Sequence, residues 1–164
     1  MSSFIKSEPG HTEALDPLDR QILRELQRDG RLTNVDLATR VGLSPSPCLR
    51  RVKALEERGY ISGYAALLDP QRLHRALRVV LLVSLTDQRQ ETLANFEAAV
   101  LDVDAVIRCL LIAGDADYLL TVVAADLDAY HDIYTRRLGE LPGVQSMRSL
   151  ITMKTVKDTH ELPV

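Results

Sequence analysis

The residues best suited to chemistry lie between Ser44 and Arg58, in SPSPCLRRVKALEER. Arg50, Arg51 and Lys53 are cations, and Ser44 and Ser46 are small hydroxyls. Arginine pairs bidentately with guanine, serine serves a base edge or a phosphate, and lysine neutralises phosphates. At about 100° per residue, Ser46, Arg50, Ala54 and Glu57 share one side of a helix, flanked by Lys53 on one edge and by Pro47 and Arg51 on the other. Cys48, Leu49, Val52 and Leu55 share the opposite side and are expected to pack. A basic amphipathic helix by itself is more often a solvated face than a nucleic-acid reader.

The flanking signals favour the reader. Thr33 is placed to cap a preceding helix, with Asp36 as a short capping-box partner. Gly42 is suited to the left-handed residue that ends it. Ser44 then caps the next helix, with Pro45 at its first position. Two helices separated by so short a turn predict a helix-turn-helix, whose second helix enters the DNA major groove. An earlier helix is expected from Asp16-Pro17, with Leu18, Ile22 and Leu26 on one stripe and a stop near Asp29-Gly30. Tyr60-Ile61 leads into GYAALLDP, read as a strand or hinge that ends at the Asp69-Pro70 turn.

The second half has a different pattern. Strands are expected over Arg78–Thr86, Ala105–Ile112, Tyr118–Ala125 and Val144–Thr155. Helices are expected over Glu91–Leu101, with Leu93, Phe96 and Val100 inward, and from Asp126 or Asp128 through Leu127, Tyr130, Tyr134 and Leu138. The order βαββαβ predicts a ferredoxin-like antiparallel sheet with both helices on one face. Its other, apolar face invites a second subunit. The fold class is therefore α+β. Residues 1–14 form an arm, 15–62 the helix-turn-helix domain, 63–76 a linker, and 77–164 the ferredoxin-like domain.

Charge agrees with this division. The chain has 164 residues and a formal net charge of −3. From Leu15 to Ser62, nine Lys/Arg face seven Asp/Glu, a net of +2, whereas Gly63 to Val164 carries −4 and the arm −1. A small positive excess confined to one part fits DNA binding by several copies acting together. The 46% hydrophobic and 26% charged composition is that of a soluble globular protein. No apolar run spans a bilayer, and MSSFIKSEPGHTEA lacks a signal-peptide core. Cys48 and Cys109 read as packed thiols, and a cytoplasmic location is expected. His11, His74, His131 and His160 share no ligand spacing. No metal, no cofactor and no enzymatic constellation is expected.

The segments LDPLDRQIL, GRLTNVDLATRVGLSPSPCLRRVKALEERGYISGY, GDADYLL, LPGV and VKDT, in this order and spacing, resemble the leucine-responsive regulatory protein/AsnC family over about Leu15–Leu162. Leu43 to Cys48 is most similar to its leucine-responsive branch. The resemblance implies a transcription regulator with an N-terminal winged-type helix-turn-helix for double-stranded DNA. It also implies a C-terminal domain that binds a small effector, usually an amino acid such as leucine, and builds dimers, tetramers or octamers. It places the effector site near Gly114–Tyr118, with Asp117 for the ammonium group, backbone at Ala113, Gly114 and Asp115 assisting, and Thr152 on the last strand as a further candidate. The residues alone also fit a plain hairpin turn there. Ala116 stands where the family commonly carries an aromatic. An architectural DNA-binding protein without effector control is the alternative.

Overall fold

The computed structural model describes residues 14–164, so the expected arm lies almost wholly outside the described residues. The chain divides into two compact units. The first is helical, with α1 Pro17–Arg28, α2 Asn34–Arg40 and α3 Pro45–Glu57. The second carries β1 Leu77–Leu85, α4 Gln90–Val100, β2 Val106–Leu111, β3 Tyr118–Ala124, α5 Leu127–Ile133 and β4 Val144–Ile151.

Local chemistry sets the helix boundaries of the first unit. The Asp16 carboxylate accepts the Asp19 N–H at 2.7 Å and Pro17 opens α1. Thr33 Oγ1 accepts the Asp36 N–H at 3.1 Å, and the same hydroxyl donates to Asp36 Oδ2 at 2.6 Å. The Asp36 side chain is too short to reach the Thr33 amide, so the capping box closes through the hydroxyl. Gly42 takes φ +70°, the left-handed step between α2 and α3. Ile22, Leu37, Ala38, Cys48 and Leu55 are at most 2% exposed and form the core, with Leu23 and Val41 beside them.

Two expectations for α3 change. Ser44 occupies the N-cap position, but its hydroxyl makes no capping bond. Instead Asn34 Nδ2 donates to the Pro45 carbonyl at 2.8 Å and ties the start of α2 to the first turn of α3. Leu49 is 44% exposed rather than packed. Cys48, Val52 and Leu55 span only about 60° of the helix, and Leu49 lies another 60° beyond Val52, at the rim of the covered sector.

Residues 60–69 form no strand ladder among the described residues, so the segment read as a strand or hinge is an extended connector. Residues 157–164 belong with the helical unit. There Gln27 and Leu162 exchange two hydrogen bonds, at 3.1 and 2.6 Å, and Arg24 donates to the Val164 carbonyl.

In the second unit the strand order is β2-β3-β1-β4, all antiparallel neighbours. This is two split β-α-β units: β3 lies between β1 and β2, and β1 lies between β3 and β4. Alternate residues of β1 and β3 are buried: Val79, Leu81 and Val83 against Tyr118, Leu120 and Val122. Phe96 and Val100 of α4 and Tyr130 of α5 close over them. The Phe96 and Tyr118 rings lie 4.6 Å apart at 40°. Buried polar tips are satisfied: Tyr118 donates to Glu97 at 2.7 Å, and the Tyr130 and Ser149 hydroxyls share a 2.6 Å hydrogen bond.

Two local departures occur. α5 runs into a π-helical turn, Tyr134–Leu138, closed by the Gly139 N–H donating to the Tyr134 carbonyl at 2.8 Å. The wider turn buries Leu138 while Leu127, expected on the packed stripe, is 56% exposed. β4 ends at Ile151, four residues before the expected Thr155. On the face opposite the helices, Val80 pairs beside Leu150 and Leu119 beside Leu110. Leu110 and Leu150 are each 45% exposed, and no element of this unit covers them among the described residues.

Phe96→Ala removes a fully buried ring that touches β3 and should cost about 3–5 kcal/mol of unfolding free energy. The urea midpoint checks this, and a loss below about 1 kcal/mol would contradict the packing described.

Candidate nucleic-acid interface and ligand turn

α3 is held by its Cys48–Leu55 line, which fixes what its other side offers to solvent. Ser44, Ser46, Arg50 and Lys53 are all exposed. Neither Arg50 nor Lys53 enters an ion pair among the described residues. Ser46, Arg50 and Lys53 therefore lie on the exposed side of α3, as their spacing predicts, and Ser44 is exposed at its N-cap.

Arg51 is placed differently. Its Nη1 donates to Asp16 Oδ2 at 2.6 Å and to Asp19 Oδ1 at 2.7 Å. Asp19 is 7% exposed, and Arg58 Nη1 approaches its other oxygen at 3.7 Å. The Asp16 carboxyl is held below its usual range, first by the Asp19 N–H and then by Arg51. Arg58 also lies over the Tyr60 ring, 4.9 Å from its centre, and Glu56 accepts the Tyr64 hydroxyl at 2.9 Å. Desolvation, followed by that hydrogen bond, raises the Tyr64 phenol to about 12. Glu56 and Arg58 are thus partnered at the end of α3. The sequence signalled Asp16 as a cap. Nothing in the local pattern signalled Asp19 as a partner for α3.

The second candidate is the turn between β2 and β3. The Ile112 N–H donates to the Asp117 carbonyl at 2.9 Å, and the Asp117 N–H donates to the Val83 carbonyl at 2.9 Å. Asp117 Oδ2 accepts the Leu85 N–H at 2.7 Å, and Oδ1 accepts from the Gln88 amide at 2.8 Å. Both carboxylate oxygens therefore have a protein donor, although each retains a further lone pair. Ala113, Gly114 and Asp115 are exposed. The amides of Gly114, Asp115 and Ala116 have no intrachain acceptor among the described residues. Gly114 has φ +147°, and a Cβ there would meet nothing within 4 Å, so the backbone conformation rather than crowding calls for glycine.

Thr152 is not part of this cluster. Its N–H donates to the Arg78 carbonyl at 3.1 Å, at the start of β1, whereas Asp117 is bonded to Leu85, at the end of β1. Seven residue steps at roughly 3.3 Å each separate the two places by about 23 Å.

Cys48 is buried and Cys109 half-buried, both as free thiols. Desolvation, with Glu97 nearby, raises Cys109 to about 11. Among the described residues no group of three His, Cys, Asp or Glu side chains could hold a metal ion, and no helix is long and apolar enough to cross a membrane.

An exposed, arginine-bearing second helix of a helix-turn-helix, joined to a βαββαβ unit with an open turn between β2 and β3, defines a two-domain DNA-binding regulator. Residues 15–62 match the winged helix-turn-helix DNA-binding family, and residues 78–162 match the Lrp/AsnC ligand binding domain. The chain belongs to the Lrp/AsnC family of transcription regulators. It is 43% identical to the leucine-responsive regulatory protein of Salmonella typhimurium over 159 residues, covering 97% of this chain and 96% of that protein. Among solved structures, a transcriptional regulator from Neisseria meningitidis in complex with L-Met superposes with a TM-score of 0.87 at 40% identity, over 92% of this chain and 97% of that one. A feast or famine regulatory protein from M. tuberculosis complexed with L-methionine superposes at 0.77, with 34% identity over 91% and 99% of the two chains. Escherichia coli AsnC, at 22% identity and a TM-score of 0.83, shares the fold.

Proposed function

We propose that this regulator binds DNA through α3 and that an amino acid held at the Gly114–Asp117 turn alters that binding. Arg50 and Ser46 read base edges, while Lys53 and Ser44 hold phosphates. Two copies present their α3 helices to successive major grooves of a roughly palindromic site. The copies associate through the open sheet face around Val80, Leu110, Leu119 and Leu150, and dimers assemble further into tetramers or octamers. Contiguous apolar surface of this kind supports that association.

The observation that carries the ligand reading is the turn itself. Three unoccupied amides suit a carboxylate, and the adjacent Asp117 carboxylate suits an ammonium through its remaining lone pairs. L-methionine in the N. meningitidis and M. tuberculosis structures supports an amino acid as the class of effector. The leucine-responsive relatives make leucine a first choice to test. Thr152, at the far end of the sheet, can join the same ligand only from another copy of the chain. That separation favours a site completed by assembly.

Thermal unfolding against a panel of the twenty amino acids tests this. A ligand that binds the folded state stabilises it by about 2.7 kcal/mol at a hundred times its dissociation constant, so one or a few amino acids should raise Tm by several degrees. A panel in which none shifts Tm would remove the amino-acid reading.

A further inference from the structure

We infer that Arg51 is a positioning residue for the recognition helix: clamped between Asp16, which caps α1, and Asp19 in its first turn, it sets the rotation of α3 that aims Arg50 and Ser46 outward, and it makes no phosphate contact itself. This rests on the reading of α3 as the DNA-reading helix.

Sequence spacing puts Arg51 on the edge of the exposed face, where a phosphate contact is the natural expectation. The geometry differs. One guanidinium nitrogen lies within 2.7 Å of carboxylate oxygens from the N-cap Asp16 and from Asp19 in the first turn of α1. Asp19 is the buried member, and Arg58, at the C-cap of α3, approaches its second oxygen. α3 is therefore attached to α1 at two points along its length by way of the Asp19 carboxylate. Apolar contacts around Cys48 and Leu55 hold α3 against the bundle, but such packing is non-directional and permits small rotations. Charge-assisted hydrogen bonds at fixed distances are directional and do not. Arg50 precedes Arg51 by one position, so a rotation of α3 carries its guanidinium sideways across the groove. Bidentate base pairing tolerates little of that error.

Charge alone does not account for the arrangement. A lysine at position 51 keeps the positive charge and would still serve a phosphate, but its single ammonium on a flexible stem does not reproduce the guanidinium geometry. Arg51→Lys therefore separates the two roles.

The test measures affinity for a specific site and for unrelated DNA over a range of salt concentrations, with wild-type protein, Arg51→Lys, Arg51→Met and Arg50→Ala. Thermal midpoints confirm that each variant is folded. The clamp predicts that Arg51→Lys lowers the ratio of specific to non-specific affinity roughly tenfold and leaves the salt slope unchanged, with Arg51→Met showing the same pattern. A phosphate contact instead predicts near wild-type behaviour for Arg51→Lys. For Arg51→Met it predicts equal losses on both DNAs, with a salt slope smaller by about one per protomer. That result overturns the clamp. Arg51→Met failing to fold leaves Arg51→Lys to decide. If Arg50→Ala also leaves the ratio unchanged, α3 is not the reading helix and the clamp falls with it. If Arg50→Ala lowers the ratio and Arg51→Lys does not, the clamp alone fails.

Discussion

Arg50→Ala should weaken binding to the regulator's specific DNA by about 1–3 kcal/mol per half-site, or roughly 5- to 150-fold, while non-specific affinity changes little. The asymmetry follows from what the side chain does in the free protein. Arg50 is exposed and outside the ion pairs of the helical unit, so its removal leaves no orphaned partner and no cavity. Stability should therefore stay within about 0.5 kcal/mol of wild type. Two half-sites double the loss in a dimer. Fluorescence anisotropy on matched specific and scrambled duplexes at one salt concentration reads the difference. Equal losses on the two DNAs would assign Arg50 to phosphate rather than to a base.

Asp117→Asn should abolish the amino-acid response while DNA binding without effector stays intact. The asparagine oxygen still accepts the Leu85 N–H, and Gln88 can reverse its amide to accept from the new NH₂, so the turn keeps its shape. The negative charge facing an effector ammonium is lost. A charge-assisted hydrogen bond contributes about 1.5–3 kcal/mol, so effector affinity should fall roughly tenfold to over a hundredfold. Asp117→Ala removes both acceptors and should destabilise the end of β1 as well. Comparing the two variants separates ligand binding from support of the turn. An unchanged response in Asp117→Asn would limit Asp117 to the structural role its two hydrogen bonds already give it.

The sequence made the elements legible because their signals are local. Asp16-Pro17, Gly42 and Ser44-Pro45 each act within one turn of chain, and the alternation in β1 and β3 needs only a period of two. The strand order followed from the βαββαβ pattern and the handedness of crossovers. What escaped the sequence depends on distance along the chain. Arg51 finds its carboxylates 35 and 32 residues away, and Asp117 finds Leu85 and Gln88 at separations of 32 and 29. A helical wheel gives the angle of Leu49 but not the width of the sector its neighbours cover. Thr152 and Gly114 could be assigned to one site by resemblance, yet the register of β1 puts them at opposite ends of the sheet. The Gln27–Leu162 pair, 135 residues apart, had no local signal at all.

In the proposed function, an amino acid bound to one unit changes how the other holds DNA. Such coupling requires the effector to bind the two DNA-affinity states unequally. Anisotropy titrations of the full chain on DNA from upstream of its own gene, at fixed salt and with each amino acid in turn, measure it directly. One or a few amino acids, leucine and methionine among the first to try, should shift Kd several-fold. Specific DNA binding that no amino acid alters would contradict it and leave an architectural DNA-binding protein as the better description.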